Sequence, residues 1–245
     1  MENFLYFDCC SGISGDMTIG ALLDLGVNKD EFLENIASLD ADGYHLKITG
    51  RNAQGIAATD FDVILDPDNS GEDRPNRHLK DIIDIINRSC IDEEAKILSI
   101  RIFETIAKAE ADVHNTSIDR IHFHEVGAID SIVDIVGTAI CITMLKPDRI
   151  ISSPLHVGSG TVTCAHGVLP VPAPATAKIL ESIPIYSTSV LGELVTPTGA
   201  AIIKNLASDF IPLPLMVIKK TGYGTGKKDY GHFNALRIIS GQLVE

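Results

Sequence analysis

The apolar run Phe4–Phe7, followed by a loop rich in Gly and Ser, predicts an opening β-strand. From about Asp16 to Leu25 the apolar positions recur at helical spacing, and a second helix is expected near Asp30–Leu39. Tyr44–Thr49 and Thr59–Leu65 read as strands, the second alternating in part between apolar and polar positions. Asp66–Arg77, DPDNSGEDRPNR, has no apolar period and predicts a mobile surface loop. Two helices are expected over His78–Asn87 and Asp92–Val113, with Asp92 placed to cap the second. A short strand over Ile118–Phe123 should lead into a helix over Ile129–Leu145, which Lys146-Pro147 stops because proline cannot continue it. After it come a strand at Arg149–Ser152, a β segment at Val157–Cys164, a Pro-rich helix start at Val171–Pro174 and a helix over Thr198–Ala207. Strands at Leu215–Lys219 and Leu236–Ile239 then flank a Gly-rich loop. This alternation predicts an α/β fold, a mixed β-sheet with flanking helices in a single main domain over residues 1–245.

Composition narrows the class. With 245 residues and 45% hydrophobic content, the chain can bury a core without covalent staples. Its five cysteines, Cys9, Cys10, Cys90, Cys141 and Cys164, are odd in number and irregularly spaced, which favours reduced thiols. The first residues, MENFLYFD, lack a basic stretch followed by a long apolar core, so a cytoplasmic protein is expected. The longest apolar region, Ala128–Leu145, contains Asp130 and Asp134 and reads as a buried helix, not a membrane span. A net charge of -13 opposes nucleic acid as a partner, because phosphate backbones require clustered cations. It leaves cations as the better guess.

The stretch IHFHEVGAIDSIVDIVG, Ile121–Gly137, carries the most chemistry. His122 and His124 are two apart, which on a strand places both imidazoles on one face and suits them to a metal ion. Glu125 follows. Asp130 and Asp134, one helical turn apart, share a face with Gly137 and Cys141 on a helix that is otherwise Ile, Val and Ala. A carboxylate on a buried helix needs a cation, hydrogen-bond donors or a proton; for Asp130 a helix cap is the competing role. Cys164 and His166, again two apart, offer a soft and a borderline ligand for nickel, zinc, copper or iron, and the plainer alternative is a tight turn at Gly167. No Cys-x-x-Cys pair or His-Glu-x-x-His helix is present, so a site built from these residues is open and assembled from distant segments.

Three Gly- or Thr-containing stretches could meet an anion. In DCCSGISGD, Ser11, Gly12, Ser14 and Gly15 lie between a strand end and a helix start, where backbone amides cradle phosphates or simply begin a helix. In GELVTPTGA, Thr196 and Thr198 stand at another helix start. In TGYGTGKKDYGH, Gly222, Gly224 and Gly226 precede Lys227, which fits a phosphate contact or an ordinary hairpin loop.

YFDCCSGISGDMTIGALLDLG, HFHEVGAIDSIVDIVG, TCAHGVLPVPAPATAKIL, GELVTPTGAA and GYGTGKKD, in this order and across nearly the whole chain, resemble the nickel insertion proteins of nickel-pincer nucleotide biosynthesis, the LarC family. The resemblance implies a nickel chelatase of the lyase class that inserts Ni(II) into pyridinium-3,5-bisthiocarboxylic acid mononucleotide and consumes CTP with Mg or Mn. It implies metal ligands among His122, His124, Asp130, Asp134, Cys164 and His166, a base for the ring-carbon proton among His124, Glu125 and Asp130, a homo-oligomer, and a nucleotide-binding domain beyond the position of Glu245 that a separate C-terminal subunit could supply. A nickel carrier and an unrelated metal-dependent hydrolase are the alternatives. The resemblance departs at Asp66–Arg77, where some members carry a His-rich insertion, and at Cys10, where an aromatic or small residue is common.

Overall fold

The computed structural model describes residues 3–39, 41–66, 77–121, 123, 129–164 and 166–244. Most of the loop expected over Asp66–Arg77, together with His122, His124 and Glu125, lies outside the described residues.

Strand β1 (Phe4–Asp8) enters helix α1 (Gly15–Leu25), then α2 (Lys29–Ala37) and the hairpin β2 (Tyr44–Ala53) and β3 (Ile56–Leu65). Helices α3 (Leu79–Arg88), α4 (Glu93–His114) and α5 (Ile129–Leu145) lead to β4 (Arg149–Ser152) and the short strands β5 (Leu155–His156), β6 (Gly158–Ser159), β7 (Thr161–Cys164) and β8 (Gly167–Pro170). Helix α6 (Pro174–Ile179), β9 (Ile185–Tyr186), β10 (Gly192–Glu193), α7 (Pro197–Leu206), β11 (Asp209–Phe210), β12 (Met216–Thr225) and β13 (Ala235–Leu243) complete the chain. Seven strands form one mixed sheet in the order β11-β4-β1-β13-β12-β3-β2. β1 runs parallel to β4 and antiparallel to β13, and β12 meets β3 through Gly224 opposite Thr59.

Strand alternation divides the core. Leu5 and Phe7 face a large cluster that includes α1, α4, α5 and α7, while Phe4 and Tyr6 face a small one with Ile151 and Ile239 on the other side. The helices therefore cover the Leu5/Phe7 face. Helix α5 is apolar on nearly all sides because it is central, packing against α1, α2, α4 and α7. Helix starts follow their caps: Asn28 accepts from two amides of α2, Asp92 caps α4, and Thr196 accepts from Gly199 N–H at 3.1 Å to begin α7. Among the described residues no helix is long and apolar enough to cross a membrane.

Three sequence expectations are corrected. Ile118–Phe123 is not a continuous strand: a 3-10 turn occupies Ile118–Arg120, and among the described residues Phe123 makes one isolated bridge, to Arg77. The β segment Val157–Cys164 is broken by Gly158 and Gly160, both at positive φ, into β6 and β7. Gly222 and Gly224 are not loop residues. They lie within β12, where a Cβ on Gly224 would sit 1.9 Å from the carbonyl oxygen of Met17 and one on Gly222 would sit 2.2 Å from that of Ala21. Their lack of a side chain admits the backbone of α1, not a ligand.

This close approach makes a prediction. Gly224→Ala should cost at least about 2 kcal/mol, since neither backbone can yield locally. Gly50→Ala, where nothing lies within 4 Å of the new methyl, should change stability by less than about 1 kcal/mol. Urea unfolding of the two variants beside the parent checks this; equal midpoints would exclude a helix pressed onto that strand.

Candidate metal and nucleotide site

The loop after β1 is the organising element of the site. Gly12 adopts φ +84°, and a Cβ there would lie 1.9 Å from the carbonyl oxygen of Leu194. Ile13 donates its N–H to that oxygen at 2.9 Å and accepts from Thr196 N–H at 3.2 Å, so the segment before α1 is stitched to the segment before α7. Gly199 in the first turn of α7 lies against Ile13 and Ser14. The N-terminal ends of α1 and α7 are thereby neighbours, which places the segment of Ser11, Gly12, Ser14 and Gly15 beside that of Thr196 and Thr198. Ser11 itself turns away, donating its hydroxyl to the Phe233 carbonyl at 2.7 Å.

A small cavity of about 140 Å³ opens at this junction, lined among others by Ser14, Asp16, Thr196 and Lys227. Lys227 is engaged: its ammonium donates to Asp60 and, at 2.8 Å, to the Phe61 carbonyl. Gly226 closes the β12–β13 connection, donating N–H to Asn234 O at 3.1 Å. Asp16 accepts from the Ser14 hydroxyl and from Met17 N–H at 2.9 Å, and burial raises its carboxyl pKa in spite of both. Gly15 abuts Asp134, whose Oδ1 is sealed from solvent with no hydrogen-bond partner among the described residues. Burial, and then the nearby charges of Asp16 and Asp130, hold the Asp134 carboxyl well above the usual carboxylate range. Asp130, the second residue of α5, accepts from the adjacent Ser131 N–H at 2.9 Å.

A larger cavity of about 400 Å³ lies next to this one, since Glu193 and Lys228 line both. Its walls include Val113, Phe123, Val162 and Leu169, and its polar groups include Cys164, His166, His114 and Glu110. Cys164 ends β7 and His166 follows in the turn to β8, so the two are joined by a turn and do not share a strand face. Asp130 and Asp134 are not among the described residues that line this cavity. Cys9, by contrast, is fully buried, and burial pushes its thiol up to about 12. Among the described residues, no three His, Cys, Asp or Glu side chains converge to hold a metal ion.

His114 and Glu110 were not anticipated. They sit at the end of a long helix, fifty-odd residues before His166, and no local pattern marks them. A wider groove of about 620 Å³ between α4, the end of α5 and β4 contains no His or Cys, and its Arg101 and Arg149 are engaged with the Asn205 carbonyl and Asp209. Of these three cavities, the 400 Å³ one alone is lined by described Cys and His side chains.

The chain spans about three fifths of the length of the curated relatives it matches. It is 50% identical over 98% of its length to 61% of the pyridinium-3,5-bisthiocarboxylic acid mononucleotide nickel insertion protein of Acetivibrio thermocellus. It is 47% identical over 97% of its length to 59% of the protein of that name from Geobacillus kaustophilus, and 47% identical to 62% of the one from Clostridium kluyveri. No solved structure matches. The family model for nickel insertion proteins matches residues 5–244, nearly every position of the α/β fold described above, and the chain belongs to that family.

Proposed function

We propose that the chain takes up Ni(II) in the 400 Å³ cavity and delivers it to pyridinium-3,5-bisthiocarboxylic acid mononucleotide, the acceptor in the names of its relatives. The observation that carries this reading is one continuous lining: a thiol and two imidazoles in an apolar cavity that adjoins, through Glu193 and Lys228, the paired N-termini of α1 and α7. Thiolate and imidazole suit a borderline divalent ion. Helix N-termini with Lys227 and Lys228 nearby suit a nucleotide phosphate. Glu110 and Glu193 on the same cavity complement a cationic pyridinium ring.

In this reading Cys164 and His166 hold the incoming ion and the acceptor sulfurs displace them stepwise. Forming the carbon–metal bond requires a base for the ring proton, a role we assign among His124, Glu125 and Asp130. His122 and His124 flank Phe123, which lines the cavity, and that sequence adjacency supports adding them to the ligand set. Phosphate contacts are assigned to Ser14, Gly15, Thr196, Thr198 and Lys227. The same proposal takes the reaction as a cytoplasmic, lyase-class cyclometallation that consumes CTP with Mg or Mn. Because the relatives are longer, a second reading stands beside it: a nickel-carrying half-protein completed by a separate subunit or by self-association.

Calorimetric titration with Ni(II) under reducing conditions tests the metal half. The variant Cys164→Ser/His166→Ala should bind at least about tenfold more weakly than the parent; unchanged affinity would remove the cavity from the proposal. Supplying acceptor and CTP then separates the readings. Turnover by the chain alone makes it the complete inserting enzyme, and turnover only with the additional region of a longer relative makes it the half-protein.

Asp134 yields a prediction with a definite sign. A carboxyl whose pKa rises on folding contributes stability below its ordinary pKa, and that contribution is lost as pH rises from there through the folded value. Asp134→Asn should therefore raise the melting temperature of the metal-free chain at neutral pH and flatten its decline as pH rises above the ordinary carboxylate range. With nickel present, the parent should gain more on metal addition than the variant if Asp134 is a ligand, and equally if it is not.

A further inference from the structure

We infer that His114 and His166 form a two-imidazole docking point at the mouth of the cavity for the incoming divalent borderline metal ion, with Glu110 orienting His114; this rests on the metal-handling reading above.

The two rings come from unrelated parts of the chain. His114 is the last residue of α4, where Asn115 takes a left-handed conformation and ends the helix. His166 sits in the turn between β7 and β8, beside Gly167 at positive φ. Their ring centroids are 5.0 Å apart with an interplanar angle of 36°. Two imidazoles sharing one ion at metal–nitrogen distances of about 2.0–2.1 Å, near the tetrahedral angle, have centroids roughly 5 Å apart. The backbone thus already holds the rings at the separation that a shared ion requires, and only side-chain rotation is left to aim the nitrogens.

Glu110 lies one helical turn before His114, with its Oε2 3.4 Å from Nε2. A carboxylate on one imidazole nitrogen fixes the tautomer and leaves the other, Nδ1, free to donate to a metal. Both histidines are exposed, whereas Cys164 is half-buried on the same cavity. Borderline imidazoles at the surface and a soft thiol farther in form a graded path toward an acceptor that binds through sulfur. Because no third described carboxylate, thiol or imidazole closes the site, the docked ion keeps open coordination positions, which onward transfer requires and storage does not. Hard ions such as Mg(II) are poor ligands for this pair.

The test uses the full chain with Ni(II) alone, followed by calorimetry, and Co(II) as an absorption probe. His114→Ala should weaken Ni(II) binding at least about tenfold while keeping the parental melting temperature, and Glu110→Gln should weaken it by a smaller factor. At saturating Co(II), His114→Ala should retain any thiolate-to-metal charge-transfer band, and Cys164→Ser should abolish it. Parental Ni(II) affinity in His114→Ala overturns the docking point. If Cys164→Ser weakens binding and His114→Ala does not, the pair is wrong and the cavity reading survives. If His114→Ala weakens binding and Cys164→Ser does not, the pair stands and the transfer through Cys164 fails. Competition by Mg(II) at equimolar concentration would also overturn the assignment, since imidazole donors should not admit it.

Discussion

The close seating of α1 on the sheet is the constraint on which the rest of the structure depends. Gly222 and Gly224 in β12 let the backbone of α1 approach to distances that any side chain would forbid, and a Cβ on Gly20 of the helix would lie 2.6 Å from the Thr59 carbonyl oxygen of β3. With the helix held there, its first turn stands beside the first turn of α7 and against Asp134 of the central helix α5. Pushing α1 outward by the width of a methyl group would separate the two amide-bearing ends and open the Asp134 environment to water. Packing and site geometry are in this sense one fact.

The location of the site follows from topology. β1, β4 and β11 run parallel, and the connections that leave the carboxyl ends of β1 and β4 build the loop of Gly12 and the region of β5 to β8. Crevices outside the carboxyl ends of parallel strands are the usual ligand sites of open α/β sheets, because chain segments diverge there and helix N-termini point inward. Here two such N-termini supply partial positive charge in a protein that is strongly acidic overall, and Lys227 and Lys228 lie beside them.

The cluster around Asp134 places unfavourable charge against that same corner. The charges of Asp16 and Asp130 disfavour ionisation of Asp134, and burial makes that effect stronger by lowering the local dielectric response. Such an arrangement persists when a proton, a cation or a pair of helix ends offsets it, and α1 begins directly against the carboxyl group. The thiol and imidazoles of the larger cavity are a chemically distinct neighbourhood, soft where this one is hard. A reaction that brings a phosphate-bearing acceptor to a transition metal uses both.

Local periodicity and punctuation made most elements legible. The helical spacing in α1, α4 and α5, the Asp92 cap, the Lys146-Pro147 stop and the alternation in the strands are effects between residues a few positions apart, so they are written in the chain itself. The grouping of Ser14, Gly15, Thr196 and Thr198 was readable in kind, because each marks a helix start, but their meeting at one corner depends on the pairing of Ile13 with Leu194 and Thr196. Gly222 and Gly224 carry the same composition whether glycine serves a ligand loop or a helix–strand contact, and only the position of α1 decides between them. Cys164 and His166 keep their spacing of two, yet Gly167 turns the chain and takes them off a common strand face. His114 left no local mark at all: its significance is its distance from His166, and that distance is set by where α4 ends relative to a turn more than fifty residues later, a long-range packing outcome that no short window of sequence encodes.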